Sequence, residues 1–549
     1  MERAKGVGYN KRWTLPILLM ALLLLVTACG SNTVTQVNEG DGGSSTGASA
    51  SGKKTVFIGI VNPPTNFNPI NPLGTANEQV VALLNDSLLG VTENYEFVPR
   101  LAKSVETADN KTFVFKLQDN AKWTDGTPFT TKDVEFTVLT AANPAVSSTL
   151  NLVNIEGLND NGKLDEGQTS IAGLRIIDDL TFEVETKSPV DTNFFNDNFS
   201  SRIRFLPEHV LKDVNPADLE KHEYMSNPTV TVGQFKFVKF AKDQYVEYAA
   251  NPDYYLGAPK ISKLFVKIMP ASNLAAQLQT GEIDMNMIRT ALIPPEDYQR
   301  VSNMSSVNTK VSEFSIPQTV FINNGTLTDP KVREAILYGT NRQIIVEQLL
   351  KGNGEYYDSA LPKSHPYYNS SLATHEYDPE KAKQLLQEAG WDFNKPINFV
   401  VPTGNKVREQ AAELMAATLT DIGLNVQIQK FDFPTAFQKV REHDYDLAII
   451  AIPYTADPTS VYTVFGSGAT NNYENYQGTA LFDLLDKGSV EVDTEKRKQI
   501  YFDVQKLIYD ETVSFTILAE NPILVTSKMM TSGEVSNDML INAYTWDKE

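Results

Sequence analysis

The sequence is poor in residues that form cross-links or bind metals. Among its 549 residues are one cysteine, Cys29, and five histidines, none in a His-x-His pair or four residues apart. A single cysteine excludes an internal disulfide, so we expect the folded part to be stabilised by its hydrophobic cores. The histidine spacing is not that of a zinc-type centre, so we predict neither a metal site nor a cofactor.

The sequence also lacks a membrane-spanning segment and an excess of basic charge. The apolar stretch Trp13–Val26 has 14 residues, whereas a helix needs about 20 to cross the hydrocarbon core. With 48 basic and 68 acidic residues the net charge is −20, which disfavours nucleic-acid binding. The 41 % hydrophobic content is typical of a globular chain, and the length allows roughly two to four domains.

The N-terminus has the pattern of a secretory signal. Basic residues precede the apolar stretch, and small residues follow it at a cleavage point, which is typical of a signal peptide. The ending Val26-Thr-Ala-Cys29 resembles the bacterial lipobox, in which the cysteine is lipidated and becomes the new N-terminus. We therefore predict a lipoprotein signal peptide at 1–28, lipidation of Cys29 and a flexible Ser/Gly-rich linker at 29–54.

The first half of the folded part alternates strands and helices. Thr55–Val61 predicts a buried strand, and Glu78–Leu89 predicts a helix that ends at Gly90. The alternating apolar residues of Lys111–Leu117 predict another strand, and Thr130 with Asp133 is a capping-box pattern that opens a helix.

Several stretches, in this order, resemble the peptide and nickel family of bacterial extracellular solute-binding proteins. They are Pro99–Ser104, Lys122–Val134, Asn251–Pro259, Leu278–Asp284, Asp329–Ala335, Asn341–Arg342 and Tyr377–Trp391. The resemblance implies an α/β, two-lobed fold of the periplasmic-binding-protein type (type II, cluster C), with an extra domain in the N-terminal lobe. It implies a lobe I core from 55–84, 190–310 and 522–549, the extra domain at 85–189, and lobe II at 311–521. The chain would cross between the lobes near Val311–Gln318 and Leu518–Pro522.

The residues of the second half independently predict an α/β sheet. Asp378, Pro379 and Gly390 have the spacing of a helix cap, a first-turn proline and a helix stop. Beyond them, apolar strands alternate with amphipathic helices in the order Ile397–Val401, Val407–Ile422, Asn425–Phe431, Pro434–Arg441 and Asp446–Ile452. This order predicts parallel strands joined by right-handed crossovers.

The candidate binding residues follow those strands, because ligands of open α/β sheets bind beyond the carboxyl ends. One loop contains Gly404 and Asn405 at a helix entrance, where an anionic ligand group is favoured or where an ordinary turn accounts for the pattern. The other contains Asp457. The family resemblance implies that an aspartate in a comparable loop pairs with the peptide α-amino group, but Asp457-Pro458 equally matches a structural turn.

Tyrosines complete the candidate set. Tyr454, Tyr462 and Tyr473 lie in or near the second loop. A tyrosine offers an apolar face and a hydroxyl to a peptide of variable sequence, although partial burial in a core is the alternative.

Together these features predict a non-enzymatic receptor of an ABC importer, most simply for peptides. The same role for nickel, haem or an oligosaccharide is the alternative. A lipid-anchored extracellular hydrolase is the alternative of another class, but the sequence lacks a Gly-x-Ser-x-Gly elbow. The partners expected are a peptide, an ABC permease with its ATPases, and the membrane through the anchor. We expect a monomer on the extracellular face of a bacterial cytoplasmic membrane, or in the periplasm of a Gram-negative cell.

Overall fold

The computed structural model describes residues 54–312, 315–451, 455–467, 472–532 and 540–549. The predicted signal peptide, Cys29 and the linker before Lys54 lie outside these residues. No helix in the described ranges is long and apolar enough to span a bilayer.

The strands belong to three larger sheets and two short two-stranded ones. In chain order they are β1 (Thr55–Ile60), β2 (Leu89–Val91), β3 (Phe97–Pro99), β4 (Ala102–Thr107), β5 (Thr112–Leu117), β6 (Leu174–Asp178), β7 (Thr181–Glu185), β8 (Phe235–Ala241), β9 (Tyr245–Ala250), β10 (Lys263–Ile268), β11 (Met285–Asn286), β12 (Val307–Val311), β13 (Ile316–Ile322), β14 (Gly354–Tyr357), β15 (Pro396–Pro402), β16 (Asn425–Phe431), β17 (Leu447–Ile450), β18 (Ser514–Glu520), β19 (Ile523–Ser527), β20 (Met530–Ser532) and β21 (Asp547–Lys548).

The α-helices pack against these sheets or connect their strands. They are α1 (Thr75–Ala82), α2 (Thr131–Ala142), α3 (Thr192–Phe195), α4 (Glu208–Leu211), α5 (Ala271–Thr280), α6 (Tyr298–Ser302), α7 (Pro330–Gly339), α8 (Arg342–Ile344), α9 (Pro379–Glu388), α10 (Lys406–Asp421), α11 (Phe433–Arg441), α12 (Pro458–Tyr462), α13 (Thr479–Val490) and α14 (Thr494–Glu511).

The seven-stranded sheet has the order β12-β19-β11-β1-β10-β9-β8. The predicted first strand is its central element, and Val56, Ile58 and Ile60 are buried in the core. The helix predicted over 78–89 is wrong in its bounds, because α1 ends at Ala82 and Leu89 and Gly90 pair with β3. The apolar periodicity continued past Ala82 since the following loop is also buried, and the pattern alone does not reveal the strand partner.

The four-stranded antiparallel sheet, β4-β5-β7-β6, has a separate core. Phe113, Phe115 and Leu117 of β5 alternate into this core, as predicted. Thr130 and Asp133 form the predicted capping box at the start of α2.

The six-stranded sheet has the order β14-β18-β13-β17-β15-β16. Strand β15 pairs in parallel with both β16 and β17, with α10 and α11 as the intervening helices. This confirms the parallel arrangement predicted from the alternation of strands and helices. Helix α9 begins after the Asp378 cap with Pro379 in its first turn, also as predicted.

Two segments connect the larger sheets. The chain leaves the seven-stranded sheet after Val311 and enters the six-stranded sheet at Ile316, then returns between Glu520 and Ile523. We call residues 315–520 lobe II and the described remainder lobe I. At the return crossing the Tyr298 hydroxyl of lobe I donates to Glu520 Oε1 at 2.7 Å, which connects the lobes at the base of the space between them.

Candidate ligand-binding site between the lobes

The carboxyl ends of β15 and β17 face lobe I. Lys406, just beyond β15, places its Nζ 3.0 Å from Glu296 Oε1. Arg497, which contacts the loop beyond β17, places Nη1 3.2 Å from Asp191 Oδ1. The two predicted loops therefore border the interface between the lobes, where ligands of open α/β sheets bind.

Asp457 is fully buried, and its carboxylate accepts three hydrogen bonds from two residues. Its Oδ1 accepts the Thr459 N–H at 2.8 Å as the cap of α12, with Pro458 in the first turn. Both carboxylate oxygens also accept from Arg497, at 2.6 Å and 3.0 Å, in the two-point geometry that arginine forms with carboxylates. The cap contact is the one expected for a structural Asp-Pro turn, and the ion pair with Arg497 already occupies both carboxylate oxygens. The role of Asp457 as the ligand of a peptide amine stays a prediction.

Arg497 bridges the two lobes. Its Nη1 contacts Asp191, which caps α3 of lobe I, while Nε donates to the Gly488 carbonyl at 2.9 Å. Burial on its own lowers the pKa of Arg497, but Asp457 and Asp191 together with other neighbours outweigh this effect and raise it. Burial raises the pKa of Asp191, and the Arg497 charge opposes that rise. The guanidinium is therefore held charged by the chain's own carboxylates.

His365 lies beside the same loop in a neutral form. Its Nε2 is 2.9 Å from the Thr455 carbonyl, and its Nδ1 accepts the Tyr367 N–H at 3.1 Å. The Tyr95 ring of lobe I lies 5.0 Å away, centre to centre. Burial lowers the pKa of His365 to about 4, because the imidazolium would be poorly solvated there.

The helix-entrance loop is closed by its own side chains. Gly404 adopts φ +94°, a left-handed conformation that favours glycine, and its N–H donates to Glu409 Oε1 at 3.1 Å. The Asn405 side chain caps α10 by accepting the Arg408 N–H. Binding of a ligand anion at Gly404 and Asn405 thus stays a prediction. Such an anion would compete with the Glu409 carboxylate for the Gly404 N–H.

The predicted tyrosines lie in different environments. Tyr462 is 1 % exposed and its ring stacks on Tyr501 at 5.8 Å, so its placement supports packing and gives the predicted ligand contact no support. Tyr473 is half-buried against Phe321 and Phe437. Tyr454 lies outside the described residues.

Three residues of this region were missed by the sequence analysis. Arg497 follows Lys496 and precedes Lys498 in what looks like a solvated basic run. The available indication was its spacing from Tyr501, Val504 and Ile508, which places it on the buried stripe of α14. Asp191 and His365 had no comparable indication, because the partners that bring them to this region, Arg497 and Thr455, are distant in the sequence.

The described residues contain no group of three His, Cys, Asp or Glu side chains that could hold a metal ion. The polar groups at the interface include ion pairs and backbone carbonyls.

Two lobes joined by two crossings, with polar loops facing each other at the carboxyl ends of parallel strands, define a solute-binding protein. Residues 96–473 match the family described as bacterial extracellular solute-binding proteins, family 5 Middle. The chain belongs to this family, which confirms the resemblance found in the sequence and the solute-binding role.

Individual relatives cover most of the chain. It is 28 % identical over 537 residues to the oligopeptide-binding protein AppA of Bacillus subtilis, which covers 92 % of both chains. It is 26 % identical over 487 residues to the nickel-binding periplasmic protein of Escherichia coli, covering 83 % of this chain and 87 % of that one. The solved structure of Bacillus subtilis AppA with a nonapeptide has a TM-score of 0.74 at 23 % identity, covering 90 % and 99 %. This likeness confirms the predicted two-lobed α/β fold.

Proposed function

We propose that the protein is the substrate-binding lipoprotein of an ABC importer and captures extracellular peptides between its lobes. The observation that carries the peptide assignment is the match to AppA over 92 % of both chains. Ligand would stabilise the closed arrangement by contacting both lobes, which is a shift between populations and needs no chemical step. The closed form would then deliver the peptide to a membrane permease driven by ATPases.

The contacts across the interface support a closing mechanism. The Arg497–Asp191 and Lys406–Glu296 pairs join residues of lobe II to residues of lobe I. Separation of the lobes would break both pairs. The two ion pairs and a ligand that contacts both lobes would therefore stabilise the same closed arrangement.

Calorimetry with a diverse peptide pool, Ni²⁺, haem and oligosaccharides tests the peptide assignment. The protein is first unfolded and refolded to remove co-purified material. Binding of peptides alone is the expected result. Binding of nickel, haem or a sugar without any response to the peptides would contradict the assignment and favour the corresponding alternative.

Asp457→Asn tests the predicted amine contact. A contact with the α-amino group requires that the substitution weaken binding of free peptides more than that of N-acetylated peptides. Equal losses for both kinds of peptide would remove Asp457 as the amine ligand and leave its bond to Arg497 as its role.

Cys29→Ser tests the anchor. We expect the variant to leave the membrane fraction and to keep the ligand affinity, because the candidate binding residues of both lobes are distant from Cys29 in the sequence. More than one acyl chain is needed for stable anchoring. Membrane retention of the variant would contradict the lipoprotein prediction.

A further inference from the structure

Asp197 is a second buried carboxyl of lobe I at the interface between the lobes. It lies in the π-helical turn Asn196–Ser200, which directly follows α3, and it is 3 % exposed. The hydrogen-bond donors that act on its carboxyl belong to lobe II, namely the Thr455 side chain and the Ala456 N–H. Asp197 therefore faces the loop that follows β17, and short π-helical turns of this kind are frequent at functional sites.

Arg497, a buried cation of this interface, is already engaged by other carboxylates. It donates to Asp457 from two nitrogens and to Asp191 from one. Arg202 acts on Asp197 by charge, but Arg202 is exposed, so solvent screens the attraction. Three buried carboxyls and one buried guanidinium thus come together where the lobes meet.

These surroundings favour the neutral form of the Asp197 carboxyl. Burial raises its pKa above the ordinary 3.8, and the Asp457 charge adds to this rise. Arg202 and the two donors of lobe II oppose the rise without cancelling it. A carboxyl that is out of water and beside another carboxylate binds its proton more tightly than an exposed one.

Separation of the lobes would remove much of this environment. Thr455, Ala456 and Asp457 all belong to lobe II, so they would move away from Asp197 and water would take their place. The carboxyl would then ionise with the pKa of an ordinary aspartate. The closed arrangement therefore binds a proton more tightly than the open one, and a bound proton in turn favours closing.

We propose that the Asp197 carboxyl takes up a proton when the lobes close, so that this residue makes ligand capture stronger as the pH falls. The proposal rests on the proposed function, because it requires lobes that close around a ligand. At high pH both arrangements carry the charged carboxylate, and closing has to remove it from water. As the pH falls towards 3.8, one proton strengthens closing by at most about 10-fold per pH unit.

Two neighbouring groups also titrate and have to be separated from Asp197. Burial raises the pKa of Asp191, although Arg497 opposes this, so Asp191 acts in the same sense. Burial lowers the pKa of His365 to about 4, so His365 acts in the opposite sense. The contribution of Asp197 is therefore the difference between the wild-type protein and Asp197→Asn, in which both neighbours are unchanged.

The test measures binding of pentapeptides to the full chain by calorimetry at pH 5 and pH 7. The pool lacks His, Asp and Glu, so that the peptides keep their charges over this range. Asparagine resembles the neutral acid and does not ionise. We expect Asp197→Asn to bind at least about threefold more tightly than the wild type at pH 7, and this ratio to shrink by about threefold or more at pH 5.

The same titrations in buffers of different ionisation enthalpy give the number of protons taken up on binding. Asp197→Asn should take up fewer protons than the wild type. Asp213→Asn is the matched control, because Asp213 is an exposed carboxylate of lobe I, and it should change neither quantity. Weaker binding of Asp197→Asn at both pH values, or unchanged proton uptake, would overturn the proposal, since a carboxylate kept for its bonds to lobe II gives that result.

Thr455→Val tests the same carboxyl without a change in lobe I. The substitution removes a donor that stabilises the charged form and nearly preserves the shape of the side chain. Proton uptake on binding should therefore extend to higher pH than in the wild type. Proton uptake that is unchanged at every pH would contradict the proposal, even if Asp197→Asn failed to fold.

A measurement without peptides separates this proposal from the proposed function. Small-angle X-ray scattering gives the radius of gyration of the ligand-free protein at pH 5 and pH 7. The wild-type protein should contract on acidification, and Asp197→Asn should contract less. If no peptide binds but this difference appears, the peptide assignment fails and proton-linked closing stands. If no peptide binds and both proteins respond identically, proton-linked closing is overturned as well.

Discussion

Two arginines of lobe II are buried to almost the same extent but have opposite surroundings. Arg497 donates to Asp457 from two nitrogens and to Asp191 from one, so its charge is neutralised inside the protein. Arg408 donates to one neutral amide, Gln318. The first arginine is part of an internal network that crosses the lobes, whereas among the described residues the side chain of the second makes one hydrogen bond, to a neutral amide.

His365 shows a third outcome for a buried basic group. Among the described residues it forms no hydrogen bond with a carboxylate, and it avoids an uncompensated charge by remaining neutral. An arginine cannot take this route because its intrinsic pKa is too high. Neutralisation by carboxylates, deprotonation and retained charge are therefore three states that a buried basic group takes in lobe II.

Arg497→Met should have the largest effect of these sites. The substitution leaves Asp457 and Asp191 buried without their common partner, which typically costs about 3–5 kcal/mol. Urea unfolding measures the loss, with Lys496→Met as the control because Lys496 is exposed on the same helix. A loss below about 1 kcal/mol would mean that the network contributes little and that the two arginines are alike.

A pH titration of stability tests the neutral state of His365. Its folded pKa of about 4 lies below the ordinary 6.5, so the unfolded chain binds the proton more readily. The difference between the two pKa values contributes about 3 kcal/mol to the free energy of unfolding. This contribution is fully present above pH 6.5 and is lost as the pH falls towards 4. His365→Gln should remove this part of the slope. An unchanged slope in the variant would assign the pH dependence to other groups.

Asp191→Asn separates the lobe-bridging contact from the rest of the Arg497 network. Asparagine keeps the capping oxygen for α3, and Arg497 keeps Asp457, so only one charge-assisted bond is weakened. We expect a loss of about 2 kcal/mol in urea unfolding. A loss as large as that of Arg497→Met would show that Asp191, rather than Asp457, is the principal partner.

How far the sequence predicts these features depends on how local their causes are. The cap and first-turn proline of α9, at Asp378 and Pro379, are local and were predicted correctly. The parallel order of β15, β16 and β17 follows from alternating periodicities along a short segment. Arg497 and Asp191 are 306 positions apart, and their contact depends on how two separately formed lobes meet. No periodicity carries that information, so the network had to be found in the structure.

The smallest effect on stability should come from Arg408→Met, and it is the sharpest test of the comparison. Removal of a buried cation without a carboxylate partner leaves no charge behind, so the change in unfolding free energy should stay below about 1 kcal/mol or be favourable. Arg333→Met is the matched control, because Arg333 is as buried but donates to the carbonyls of Leu327, Thr328 and Glu511. Those carbonyls lose their donors, and the control should cost more than Arg408→Met. If Arg408→Met cost as much as Arg333→Met, Arg408 would be a structural cation like Arg497.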